Sequence, residues 1–269
     1  MFSPYYAWTG WKDPFDHCAI NVALYQPGRQ SWSMTERRRG ALRQEREALV
    51  VGRSAMRWVG GALEIDVHEV GAPIPQRLRG HIRLHPTAML GETFAIDDAG
   101  RHLWRPIAPR AEVEVSFGEP ACAWRGQGYF DTNAGVEPLQ EGFSTWNWSR
   151  AHGRTDTFLF YDVERRDGCR ADLALRIGAG GAAERIASPP AHDQPLPLWR
   201  MPRAVRGDAD RPPVLRRTLE DAPFYSRTAL DGVVAGEAVQ IVHESVSLDR
   251  LRSPLVRAML PFRMPRTLW

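Results

Sequence analysis

Ala55-Met56-Arg57-Trp58-Val59 and Leu63-Glu64-Ile65-Asp66-Val67 alternate in character on either side of Gly60-Gly61, and this period of two constrains the fold more than any other feature of the chain. Side chains two apart on an extended backbone share a face, and a Gly-Gly pair supplies the positive φ of a tight turn, so the segment reads as a hairpin. Further strands are expected at His17–Tyr25, Leu78–Leu84, Glu112–Phe117, Ala121–Trp124, Phe158–Val163, Ala171–Ile177 and Val239–His243. Most are short and separated by Gly, Pro or Asp, which favours antiparallel barrels or sandwiches over a parallel α/β sheet. Two stretches depart from the pattern. Residues 178–223 hold many Gly, Ala and Pro residues and read as a long surface excursion. From Ser247 to Leu260 the apolar positions fall at helical spacing, interrupted by Pro254, which predicts a kinked helix or two short ones.

With 269 residues, 43% of them hydrophobic, the chain is long enough for one large or two modest cores. It contains no uncharged apolar run of about 18 residues, and no basic segment followed by an apolar run opens it, so neither a membrane span nor a signal peptide is expected. Cys18, Cys122 and Cys169 are widely spaced and read as reduced thiols in a cytoplasmic protein. The net charge is +3. Apart from Lys12 the basic residues are arginines interspersed with acids, as in Asp162-Val163-Glu164-Arg165-Arg166-Asp167, and nucleic acid is not an expected partner.

Two segments carry candidate chemistry, Arg101-His102-Leu103-Trp104-Arg105-Pro106 and Gly126-Gln127-Gly128-Tyr129-Phe130-Asp131-Thr132-Asn133. On a strand His102 shares a face with Trp104, and Tyr129 with Asp131, so a carboxyl and an imidazole can be set into an aromatic wall. Such a wall could protonate a carbon-carbon double bond and shelter the cation that results. The competing reading of Asp131 is a turn residue whose carboxylate bonds nearby backbone N–H groups. Trp124 ends a strand, while Trp146 and Trp148, like Phe158 and Phe160, form same-face pairs that could line a channel or fill a core. Adjacent residues on a strand point apart, which argues against a reactive thiol in Asp16-His17-Cys18. His81 and His85 share their face with Arg83 and lack a carboxylate to complete a ligand set, so no metal is expected.

Beyond these segments, Asp16-His17-Cys18-Ala19-Ile20-Asn21-Val22-Ala23-Leu24-Tyr25, Met34-Thr35-Glu36-Arg37, Ile107-Ala108-Pro109-Arg110, Gly128-Tyr129-Phe130-Asp131-Thr132-Asn133, Trp146-Asn147-Trp148-Ser149 and Leu260-Pro261-Phe262-Arg263-Met264-Pro265-Arg266 together resemble the carotenoid 1,2-hydratases, the hydroxyneurosporene synthases of phototrophic bacteria. The resemblance runs from about Phe2 to Trp269. It implies an all-β protein of two lipocalin-like, calycin-type antiparallel β-barrels with a short C-terminal helical segment. We place the first domain at residues 1–100 and the second at 101–269. Family members begin further upstream with a Trp- and Tyr-rich strand, so either the start at Met1 is placed late or the first barrel lacks a strand.

The implied reaction adds water to the terminal C1–C2 double bond of an acyclic carotenoid, such as neurosporene or lycopene, without a cofactor. Asp131 would be the proton donor, because burial can raise a carboxyl pKa by roughly 3–5 units. Trp104 and Tyr129 would face the tertiary cation, and a neutral His102 would position the water or take its proton. Trp124, Trp146, Trp148, Phe158 and Phe160 are the expected substrate-lining residues. A non-catalytic polyene or lipid carrier and a related terpenoid cyclase are the alternatives. The tail from Leu248 to Trp269 mixes arginines with Leu255, Leu260, Phe262, Leu268 and Trp269, which suits peripheral contact with the inner, photosynthetic membrane; the competing reading is a tail that seals the second barrel.

Overall fold

The computed structural model describes residues 3–267. Leu268 and Trp269, part of the expected membrane-facing tail, lie outside the described residues, as do Met1 and Phe2. In chain order the strands are β1 (Asn21–Gln26), β2 (Arg29–Met34), β3 (Leu42–Gln44), β4 (Ala48–Val51), β5 (Ser54–Val59), β6 (Ala62–Val70), β7 (Arg77–Ala88), β8 (Phe94–Ala95), β9 (His102–Glu119) and β10 (Ala121–Gly135). They continue with β11 (Phe143–Gly153), β12 (Thr157–Arg165), β13 (Arg170–Ile177), β14 (Ala183–Arg185), β15 (Ala191–Asp193), β16 (Ala204–Arg206), β17 (Val214–Asp221), β18 (Tyr225–Val234) and β19 (Glu237–Ser247). Short helices are α1 (Pro4–Trp8), α2 (Leu139–Gly142), α3 (Leu248–Arg252) and α4 (Pro254–Arg263). The protein is thus mostly antiparallel β, as the alternation predicts. Among the described residues no helix is long and apolar enough to cross a membrane.

The chain packs as two compact units that interleave in sequence: Met1–Pro86, Ala111–Gly128 and Arg257–Trp269 form one, and Thr87–Arg110 with Tyr129–Val256 form the other. Strands β9 and β10 each pass from one unit into the other.

In the first unit the hairpin expected around Gly60-Gly61 is present, closed by the pair Val59 and Ala62 with both glycines at positive φ. Its sheet follows the order β10-β9-β7-β6-β5-β4-β3. Gly80 is needed there for close packing, because a Cβ at that position would lie 2.4 Å from the Phe117 ring. Strands β1 and β2 form a separate ladder. The first strand starts at Asn21 rather than His17; between it and the 3-10 turn Pro14–Asp16, Cys18 makes an isolated bridge to Arg37.

The second unit holds a seven-stranded sheet in the order β14-β13-β12-β11-β19-β18-β17. Directly opposed residues in an antiparallel ladder share a face. Trp148 opposes Tyr161 on one side and Glu244 on the other, and Arg150 opposes Val242, so Trp146, Trp148, Arg150, Tyr161 and Glu244 line one face. Ser149 opposes Phe160 and His243, and Ala151 opposes Phe158 and Ile241, on the other. That second face packs with Val205, Leu230 and Val239 into the unit's core. The excursion at 178–223 is more ordered than expected. It carries β14 on the sheet edge, the β15–β16 ladder and the whole of β17. The C-terminal segment is two helices, with Pro254 opening α4, where its missing N–H costs no helical bond.

Candidate active site

Burial alternates strictly at the start of β9: His102 buried, Leu103 exposed, Trp104 buried, Arg105 exposed. The inward direction leaves Trp104 0% exposed, and its one polar atom, the indole N–H, donates to Asp131 Oδ2 at 2.8 Å. On β10, Tyr129 lies two residues before Asp131 on the same face, and its hydroxyl donates to that same Oδ2 at 2.9 Å. Asp131 therefore sits within a strand that runs to Gly135, not in a turn. Among the described residues no donor reaches its other oxygen, Oδ1.

Burial pushes the Asp131 carboxyl above the usual carboxylate range; the Trp104 and Tyr129 hydrogen bonds pull it down, and the Glu244 charge pushes it up again. A carboxyl accepting two bonds on Oδ2 can still carry a proton on Oδ1. Burial also raises the Tyr129 and Tyr161 phenols well above their ordinary value, reinforced by the Asp131 charge, so both remain neutral donors.

An aromatic lattice surrounds this carboxyl. Trp104 meets Tyr161 at 5.2 Å between ring centroids, Tyr129 meets Trp148 at 5.0 Å, and Trp146 stacks on Tyr161 at 5.6 Å with the rings 23° apart. Phe94 on β8 closes on Trp104 at 5.9 Å. The Tyr161 hydroxyl donates to Asn133 Oδ1 at 3.0 Å. A ring face is worth about 0.5–2 kcal/mol to a nearby cation when water is excluded. Trp146 and Trp148 are 8% and 9% exposed, and neither indole N–H finds an acceptor among the described residues. A buried donor left unpaired costs about 1–3 kcal/mol, so the pair calls for an explanation.

The structure thus brings Trp104, Tyr129, Asp131, Trp146 and Trp148 together. His102 shares the Trp104 face, yet its ring bonds Glu137 Oε1 at 3.3 Å rather than Asp131. Asp97 accepts from its backbone N–H at 2.9 Å. Gly135 and Gly142 are required around it, since a Cβ at either would come within 2.9 Å of an imidazole nitrogen. Phe158 and Phe160 lie on the opposite face of the sheet, inside the core. Trp124 belongs to the other unit and is 48% exposed.

Tyr161, Asn133, Arg150, Glu137 and Glu244 were not foreseen from the sequence. For Tyr161 the available signal was its period-two spacing with Leu159 and Val163, masked because Phe158-Leu159-Phe160-Tyr161 is a continuous apolar run.

Other polar clusters lie apart from Asp131. Across the sheet, His243 is fully buried between the hydroxyls of Ser149 at 2.7 Å and Ser245 at 2.9 Å, and burial, with Arg203 nearby, lowers its pKa to about 3. A cavity of about 590 Å³ on that side is lined by Asn147, Asp162, Arg203, Arg206 and Ser245. In the first unit, His17 bonds Glu36 at 2.8 Å, and burial pushes the neighbouring Cys18 thiol up, away from a reactive thiolate. His81 bonds Asp66 at 3.0 Å. Among the described residues no group of three or more His, Cys, Asp or Glu side chains is placed to hold a metal.

The family model for carotenoid hydratase CrtC matches residues 1–269. The chain belongs to the carotenoid hydratase family. Within it, the chain is 49% identical to the acyclic carotenoid 1,2-hydratase of Thiocapsa roseopersicina, over 99% of this chain and 67% of that protein. It is 40% identical to the hydratase of the same name from Cereibacter sphaeroides, over 99% and 95%. Among solved structures it resembles a putative AttH from Nitrosomonas europaea, with a TM-score of 0.59 at 12% identity over 85% of this chain and 80% of that one. CghA gives 0.55 at 12% identity, over 88% and 81%. These two likenesses concern the fold of this hydratase family member alone.

Proposed function

We propose that this protein adds water to the terminal C1–C2 double bond of an acyclic carotenoid such as neurosporene or lycopene, with Asp131 as the acid and no cofactor. The observation that carries the reading is the one-sided carboxyl: two donors on Oδ2, none on Oδ1 among the described residues, and further aromatic rings packed on both donors. The Oδ1–H proton passes to C2, the less substituted carbon, and the π electrons form the new C–H bond, leaving a tertiary cation at C1. Trp104 and Tyr129 then serve twice. Their hydrogen bonds stabilise the carboxylate just formed, and their rings, with Tyr161 and Trp148, favour the cation without capturing it covalently. Water attacks C1, and its surplus proton returns to the Asp131 carboxylate, which closes the cycle.

His102 is a positioning residue in this scheme. Held by Glu137 and walled by Gly135 and Gly142, it fixes the start of β9 two residues before Trp104. Hydration of acyclic carotenoids agrees with the names of the relatives above. The antiparallel sheets are compatible with a lipocalin-like scaffold.

The test is Asp131→Asn, assayed with lycopene. Asparagine keeps an oxygen for both donors and loses the acidic proton, so hydration is expected to fall by at least about 100-fold with the thermal transition retained. Hydration near the wild-type rate in the folded variant would remove Asp131 as the acid.

A further inference from the structure

Every other polar aromatic side chain in the wall around Asp131 spends its polar atom on a protein acceptor. Trp104 and Tyr129 both donate to Asp131, and Tyr161 donates to Asn133. Trp146 and Trp148 differ. Both are more than nine-tenths buried, both lie on the same face of β11, and both indole N–H groups lack an acceptor. They are nonetheless part of the same lattice: Trp148 packs on Tyr129, the donor to Asp131, and Trp146 stacks on Tyr161, which packs on Trp104.

An acyclic carotene has no atom that can accept from an indole N–H. The only oxygen in the reaction is that of the water, which becomes the oxygen of the tertiary alcohol. We propose that the indole N–H groups of Trp146 and Trp148 bind this oxygen, seating the water that captures the cation and then the alcohol it becomes. The inference rests on the Asp131 reading above. As the water attacks, one indole N–H holds it through one lone pair and the other has released it, which leaves the second lone pair for the C1–O bond; the proton goes to the Asp131 carboxylate, and the neutral alcohol, with two lone pairs, accepts from both indoles. A neutral donor suits this task, since a charged one would compete with the rings for the cation and a basic one would draw off its proton.

Loss of the seat should not stop protonation; it should let the cation lose a proton from one of its C1 methyl groups to the Asp131 carboxylate before water arrives. In deuterated water that loss gives a terminal-methylene isomer of the carotene with one deuterium at C2, whereas capture leaves one deuterium beside the alcohol carbon. The experiment compares wild type, Trp148→Phe, Trp146→Phe and the double variant with lycopene in deuterated water, measuring labelled carotene against labelled alcohol. Phenylalanine retains a ring face and removes the N–H. The ratio of labelled isomeric carotene to labelled alcohol is expected to rise on the order of tenfold in at least one single variant and further in the double. A purely structural role would lower both products together and leave the ratio unchanged, which overturns the proposal.

If the phenylalanine variants fail to fold, benzothienylalanine placed at 146 or 148 keeps the bicyclic shape, exchanges N–H for sulfur, and is read in the same way. An alcohol free of deuterium in the wild-type protein would instead overturn the acid reading and the water seat with it.

Discussion

Asp131 has two neighbours that act on its proton in opposite senses, which gives the acid reading a signature in pH. Turnover needs the protonated carboxyl, so activity is present below its pKa and lost as pH rises through it. The Glu244 charge pushes that pKa up, and Glu244→Gln is expected to move the loss of activity to lower pH. Tyr129→Phe removes a bond that favours the carboxylate, so the loss should move to higher pH while the maximal rate falls. Profiles of kcat/KM for the two variants check this, and shifts in the same direction would show that the titrating group is not Asp131. The pairing of Tyr129 with Asp131 was legible because i, i+2 spacing on a strand needs no tertiary knowledge. That Trp104 would donate to the same oxygen was not, since it depends on how two strands register.

At the scale of elements, legibility followed solvation. Ala55–Val67 could be read as a hairpin because the segment shows one wet face and one dry one. Phe158–Tyr161 could not be resolved into faces because both are buried, so Phe158 and Phe160, expected beside Trp146 and Trp148, lie across the sheet from them. That inner face also carries a polar strap from β11 to β19 through Ser149, His243 and Ser245. With a folded pKa of about 3 against an unfolded value near 6.5, His243 binds fewer protons folded than unfolded between these limits. Its contribution is therefore fully present above about 6.5 and lost as pH falls towards 3, by up to about 1.4 kcal/mol per unit. His243→Gln should flatten the dependence of the urea midpoint on pH in this window. An unchanged slope would assign it to other groups, such as His152, whose pKa burial lowers to about 4.

On the scale of the whole molecule, what composition and pattern left hidden is the interleaving: β9 and β10 serve both units, and no local rule reports pairing between distant segments. The tail illustrates the same limit. Arg266 bonds Asp16 at 2.7 Å and Glu36 at 3.1 Å, and Arg263 lies over the Trp32 ring at 4.4 Å, so arginines counted as free to meet a membrane are engaged within the first unit. Leu255 and Phe262 on α4, 70% and 72% exposed, are the better candidates for peripheral contact. Arg266→Met leaves the buried Glu36 carboxylate short of a partner and should destabilise the protein by about 3–5 kcal/mol. A melting temperature within a degree of wild type would count against that lock. In flotation on anionic vesicles, Leu255→Ser with Phe262→Ser is expected to lower any binding more than Arg263→Glu does.

The Glu36 cluster has one more consequence. Ser3 bonds one carboxylate oxygen of Glu36, Arg266 the other, and the Thr267 backbone N–H donates to the Glu36 carbonyl. The first and last described residues are thus moored to a single side chain and its own backbone. Ser3 and Thr267 are thereby held at one spot, and a short peptide could join the two there. Such a ring, reopened at Gly60-Gly61, would be a circular permutant that keeps every strand of the present fold intact.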